Sequence, residues 1–208
     1  MSNSSQTNRV TAAPEVEADG GVRFGRTLLR AVAGEVLDVE ADAIVCPANR
    51  RGVMGVGVAG QVRIAGGVEI EREAMAGAPL AIGTAIATSS GKLAERGVTL
   101  IIHAVVADAL GAPTRPDIVR QATGEALRLA DRHRARSLAL PPLGVGLGPG
   151  RLTTEAVAEL MIEEILAYLR RFTSRLELIV LVARAEEEAA KLRRLLLDAR
   201  HYWLGSRP

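Results

Sequence analysis

Two glycine-rich stretches are where this chain could hold a charged ligand. The first, CPANRRGVMGVGVAG, ends as Gly55-x-Gly57-x-x-Gly60. The second, PPLGVGLGPG, carries Gly144, Gly146, Gly148 and Gly150. Lacking a Cβ, glycine lets the backbone approach a ligand closely and adopt positive φ. The N–H groups that such a loop exposes, and the dipole of a helix behind it, favour an anion. The second loop has no charged side chain, so it suits phosphate oxygens better than proton transfer. Either stretch alone is equally well read as a plain chain reversal. Two of them, each between a strand and a helix of one small chain, suit a diphosphate.

Few side chains near these loops could react. Asn49 lies between the first strand and its loop, and Arg50 and Arg51 follow it. The two arginines either add positive potential or form a solvated pair. Cys46 is a nucleophile in principle but precedes Pro47 with no histidine nearby in sequence, which favours a buried, inert thiol. His103 sits inside the apolar run LIIHAVV and reads as a core residue. Asp108 follows that run and reads as a turn residue that could approach the site.

The elements that must position these residues alternate in type. TLLRAV near residue 30, AIVCPA at 43–48, TAIATSS at 84–90, TLIIHAVV at 99–106, SLALPPL at 137–143 and LELIVLVA at 176–183 read as strands. Helical periodicity covers 57–75, with a break at Gly66-Gly67, and then 118–133, 153–172 and 186–199. Arg115-Pro116 opens the second of these, and Thr153 or Thr154 caps the third. The expected class is α/β: three layers, with helices on both faces of a central mixed sheet. In such sheets ligands bind beyond the carboxyl ends of the strands.

Composition narrows the possibilities. At 208 residues the chain suits one domain with a real core. Aromatics are only 2%, so aliphatic residues must build that core and few rings are left to stack on a base. A net charge of +2 is too small to imply nucleic-acid binding. A single cysteine excludes an intrachain disulfide and a zinc cage, and neither a metal nor a cofactor is expected. No run is long and apolar enough to span a membrane, and the N-terminus lacks a secretory apolar segment, so the expected location is cytoplasmic. Residues 1–21 are expected to be a flexible arm, 22–200 the domain, and 201–208 a C-terminal tail whose Trp203 either docks back or serves an oligomer contact.

The Gly55-x-Gly57-x-x-Gly60 spacing invites a dinucleotide-binding reading, but the context opposes it. There the first glycine follows the strand almost at once, whereas here Pro47 to Arg51 intervene. The acid required about 20 residues on would have to be Glu69, Glu71 or Glu73, all in a helical segment.

The stretch AGEVLDVEADAIVCPANRRGVMGVGVAGQVRIAGG resembles the opening of macrodomains, whose pattern is close to GDIT…DAIVNAAN…GGGGVAGAIHRAAG. IGTAIATSSGKLAERGVTLIIHAVV and SLALPPLGVGLGPG are similar to two later segments of that family, so the resemblance covers roughly residues 28–190. It implies a macrodomain-like fold that recognises the diphosphate of free or conjugated ADP-ribose. Position by position, Glu35 falls where the family has the aspartate that contacts the adenine amino group, and its neighbour Val36 is also expected to bind the ligand. Ala48 and Asn49 close the NAAN motif beside the distal ribose. Gly55, Gly57, Val58 and Ala59 match the first phosphate loop. Leu143, Gly144, Val145, Gly146, Leu147 and Gly148 match the second.

Departures from the pattern bear on catalysis. Cys46 replaces the first asparagine of the motif, and Val56 replaces a glycine. Ala59 stands where hydrolytic members carry an aspartate. Gly144-Val145 replace a Ser-Thr pair, and Gly148 replaces an aromatic. In place of the aromatic that often stacks on adenine after the last core strand there is ARAEEEAAK, where either Arg184 stacks by its guanidinium plane or nothing does. Asn49 is left as the one candidate catalytic residue. The resemblance thus implies a module that binds ADP-ribose or an ADP-ribosylated macromolecule, with nucleic acid only as a carrier of the group. The alternatives are an ADP-ribosyl hydrolase of weak or substrate-assisted activity and, further off, a scaffold for another nucleotide or RNA.

Overall fold

Strands whose residues form almost unbroken apolar runs make the middle of the sheet, as expected where both faces are covered. A computed structural model describes residues 13–145 and 151–205. Eight strands follow in chain order: β1 (Glu15–Val16), β2 (Val22–Phe24), β3 (Thr27–Ala33), β4 (Ala43–Asn49), β5 (Ala85–Thr88), β6 (Leu100–Ala107), β7 (Ser137–Leu140) and β8 (Leu178–Ala183). They lie in the order β1-β2-β3-β8-β7-β4-β6-β5. The five from β3 to β6 are mutually parallel, and antiparallel strands flank them on both sides.

The helices are α1 (Gly57–Gly66), α2 (Val68–Ala76), α3 (Pro116–Arg132), α4 (Thr154–Arg171) and α5 (Glu186–Gly205), with short 3-10 turns at Val36–Asp38 and Gly91–Arg96. Period-two alternation sorts the strand residues between two layers. Ala43 and Val45 of β4, with Leu100, Ile102, Ala104 and Val106 of β6, join the large core under α3, α4 and α5. Ile44, Cys46 and Ile101 join a second core under α1 and α2.

Two details differ from the sequence reading. Glu15–Val16 pairs with Val22–Phe24 inside the stretch expected to be an arm. The two strands are too short to show periodicity. The last helix runs on to Gly205 instead of giving way at residue 201. It does so because Trp203 docks back, buried against Phe24 with ring centroids 5.3 Å apart.

Candidate functional site

All five parallel strands end on one edge of the sheet, and the segments leaving them enclose a cavity of about 430 Å³. Gly34, Glu35 and Val36 line it after β3, Val182 lines it near the end of β8, and Arg184 and Glu188 line it after that strand. Pro141, Pro142, Gly144 and Val145 line it after β7. Ala48 and Asn49 close β4, and Val53 to Ala59 follow in part. Ala107 to Ala112, in part, complete the wall after β6. Three inter-strand steps separate β3 from β4, about 14 Å at roughly 4.8 Å per step.

Side chains brace the loop after β4. Asn49 is 4% exposed. Its Nδ2 donates to the Val53 carbonyl at 2.8 Å and its Oδ1 accepts from the Arg51 N–H at 3.0 Å. A second amide hydrogen on Nδ2 remains for the cavity. Glu71, on α2, accepts from the Met54 N–H at 2.7 Å and pairs with Arg63 of α1 at 2.6 Å. Glu71 thus holds the loop to two helices, whereas the dinucleotide reading would have placed it on a ribose.

The braced loop delivers the N-terminus of α1 to the cavity. Its N-cap, Val56, makes no side-chain cap, and the first turn contains no acid. The first N–H groups of a helix have no partner within it, so this end presents uncompensated positive potential. Gly57 opens the helix with φ +61°. The Arg184 guanidinium lies over it, with Nη2 3.7 Å from where a Cβ on Gly57 would stand. Arg184 is exposed and forms no ion pair or hydrogen bond among the described residues. Across the cavity, Arg151 donates to the Gly111 carbonyl.

Gly144 turns the chain after β7 with φ +80°, and a Cβ there would sit 2.5 Å from Thr114 Cγ2. Both its conformation and its neighbour therefore demand glycine.

Of the residues expected from sequence, Glu35, Val36, Ala48, Asn49, Gly57, Val58, Ala59, Gly144 and Val145 come together on the cavity wall. Gly55, exposed in the loop, and Leu143, fully buried with its N–H directed at Met161 Sδ, do not line it. Gly146, Leu147 and Gly148 lie outside the described residues. The Ala109–Ala112 segment, Arg151, Thr154 and Glu188 also line the cavity and were missed. The available signal was topological, since β6 neighbours β4 and must end on the same edge.

Cys46, His103 and Asp108, unlike Asn49, do not line the cavity. Cys46 is fully buried, and burial pushes its thiol up to about 12, so it stays protonated. His103 is buried with Nε2 2.9 Å from Thr88 Oγ1. Burial brings its imidazole down to about 4 against the opposing pull of Glu73, so it is neutral near pH 7. Asp108 pairs with Arg50 at 3.4 Å on the surface. Among the described residues no group of His, Cys, Asp or Glu is placed to hold a metal, and no helix is long and apolar enough to cross a membrane.

Comparisons with known proteins agree with this fold. The Macro domain family model matches residues 45–161, more than half of the chain. An uncharacterised protein of Aquifex aeolicus is 42% identical over 160 residues, covering 76% of this chain and 92% of that protein. The Oceanobacillus iheyensis macrodomain solved with ADP is similar in fold, with a TM-score of 0.73 at 20% identity over 88% of this chain and 96% of that one. The Trypanosoma brucei macrodomain in complex with ADP-ribose gives 0.70 at 22% identity over 88% and 73%. The cavity at the carboxyl edge, the mixed sheet covered on both faces and a family match over most of the strands that build it lead to one assignment: the chain belongs to the macro domain family.

Proposed function

We propose that this macrodomain binds ADP-ribose, free or conjugated to a macromolecule, with the diphosphate on the first turn of α1. The observation that carries this reading is the uncapped α1 N-terminus opening onto a cavity lined from the end of β3 to the ends of β4 and β6. Backbone N–H groups and the helix dipole bind phosphate at such an end. Glu35 and Val36 then lie at the base end. Gly57, Val58, Ala59, Gly144 and Val145 flank the diphosphate, and Ala48 and Asn49 lie at the distal ribose. Two proteins of like fold hold ADP and ADP-ribose, which supports the same ligand class here.

The geometry favours holding the ligand over cleaving it. The carboxylates lining the cavity among the described residues, Glu35 and Glu188, belong to the β3 and β8 side, across from Asn49. Ala59 is apolar, and Asn49 is a neutral amide that is held by the loop and leaves one Nδ2 hydrogen, a donor and not a base, for the cavity. No general base thus stands beside the distal ribose to activate water. Titration calorimetry with ADP-ribose, ADP, AMP and NAD tests the reading. ADP-ribose is expected to bind in the micromolar range, about −8 kcal/mol, and more tightly than AMP. No binding of ADP-ribose at millimolar concentration overturns the proposal. Incubation with carboxylate-ADP-ribosylated protein is expected to leave the linkage intact; release of ADP-ribose would assign hydrolysis instead.

A further inference from the structure

At the β3 end of the cavity, two departures from the family pattern face each other. Glu35 stands where the pattern has aspartate, and Gln61 stands where GGGGVAGAIHRAAG has alanine. Gln61 Nε2 donates to Glu35 Oε2 at 2.7 Å. An ionised carboxylate only accepts hydrogen bonds, so the NH2 end of the amide must be the end that faces it. Gln61 is four residues beyond Gly57 on α1, on the helix face that begins at the cavity.

The other end of the same amide is informative. Gln61 Oε1 is buried and accepts no hydrogen bond among the described residues. A buried acceptor without a donor opposes folding. Stability therefore does not account for glutamine at this position, and its contact with Glu35 does. Glutamate is one methylene longer than aspartate and has one more rotatable bond. Glu35 is exposed, so without a partner its carboxylate would sample many rotamers, and ordering them would weaken any contact it makes.

We infer that Gln61 is a positioning residue for base recognition: it fixes the Glu35 carboxylate so that Oε1 accepts the exocyclic amino group of adenine. The inference rests on the ADP-ribose reading. A fixed carboxylate attracts a 6-amino purine and repels the carbonyl oxygen of a 6-oxo purine. The longer acid and the amide that holds it are two halves of one device for choosing the base.

The test measures binding of ADP-ribose and of inosine diphosphate ribose, with thermal melts, for the parent, Gln61→Met, Glu35→Ala and the double variant. The parent is expected to prefer ADP-ribose roughly tenfold, equivalent to about 1.4 kcal/mol. Gln61→Met is expected to lower ADP-ribose affinity about fivefold, a little under 1 kcal/mol, and to leave the inosine ligand unchanged. It is expected to melt no lower than the parent, because methionine fills similar space and leaves no unmet acceptor. Adding it to Glu35→Ala is expected to change nothing further. Equal weakening of both ligands, an unchanged preference, or the same loss without Glu35 overturns the positioning role. A parent that binds both ligands equally well overturns it and leaves the ADP-ribose reading standing. A parent that binds neither overturns both.

Discussion

Helices α1 and α4 each begin at the carboxyl edge of the sheet after a glycine-rich loop, but their first turns are finished differently. At α4, the Thr153 hydroxyl accepts from the Ala156 N–H at 3.2 Å, Glu155 supplies an acid, and the Thr154 hydroxyl donates to Glu188 at 3.0 Å. At α1, Val56 offers no cap, the first turn has no acid, and Arg184, unpaired among the described residues, stands over Gly57. The start of α4 is satisfied from within the protein, whereas the start of α1 is left for something else to satisfy. A missing cap costs about 1 kcal/mol. That cost is recovered when an anion supplies the partner. The two helix starts that follow the glycine-rich loops therefore differ in what they leave unsatisfied.

The sharpest way to break this contrast is to fill the α1 terminus with the protein's own negative charge. Gly57→Glu is expected to weaken ADP-ribose binding at least 100-fold, about 2.8 kcal/mol. The site is exposed and its nearest neighbour is the flexible end of Arg184, so the fold should survive. The φ of +61° adds strain of about 1 kcal/mol. Calorimetry checks the binding and circular dichroism the fold. Near-parental affinity would move the diphosphate away from α1.

Gly144 probes the other loop by shape instead of charge. In Gly144→Ala the new methyl meets Thr114 Cγ2 at 2.5 Å, and the φ of +80° is unfavourable for alanine. A loss of about 1–3 kcal/mol in stability is expected, with weaker binding following from the displaced turn. A thermal melt and a titration on one sample separate the two effects. Parental stability would show that the turn relaxes without cost.

Arg184 tests whether the α1 terminus draws on a side chain as well as on its backbone. Arg184→Ala is expected to weaken ADP-ribose binding about three- to tenfold, up to about 1.4 kcal/mol, and to flatten its salt dependence, because an exposed cation acts through a screened field. Arg184→Lys should keep the salt dependence while losing the planar group that could lie against a base. Affinity at low salt equal to the parent's would leave α1 to act alone.

How far this contrast could be read from sequence depends on the scale of the signal. The long strands β4, β6 and β8 were legible because a nearly unbroken apolar run fills each, and the helices α3 to α5, save the end of α5, because apolar periodicity runs along them. The hairpin of β1 and β2 was not, since strands of two and three residues carry no period. Among the cavity-lining residues, those on the glycine-rich loops could be named beforehand by their glycines and by motif. Those contributed by folding were missed. Glu188 reaches the cavity from α5, and the Ala109–Ala112 segment reaches it because β6 ends beside β4. Nor could the different finish of the two helices be read beforehand: Thr153 was a visible cap, but the lack of one at Val56 gains meaning only once a cavity opens in front of it.

The smallest expected effect is also the control on which the contrast depends. Thr153→Ala removes the α4 cap, leaving the Ala156 N–H to water. The expected cost is about 1 kcal/mol, a fall in Tm of about 2–4 °C for a chain of this size. Thr153 does not line the cavity, and the cap it makes is internal to α4. ADP-ribose affinity should therefore stay within about twofold of the parent, less than 0.5 kcal/mol. The signature is the inverse of Gly57→Glu, with stability lost and binding kept. If Thr153→Ala instead lost affinity on the scale of Gly57→Glu, the start of α4 would itself hold the ligand, and the division between one satisfied and one open helix terminus would fail.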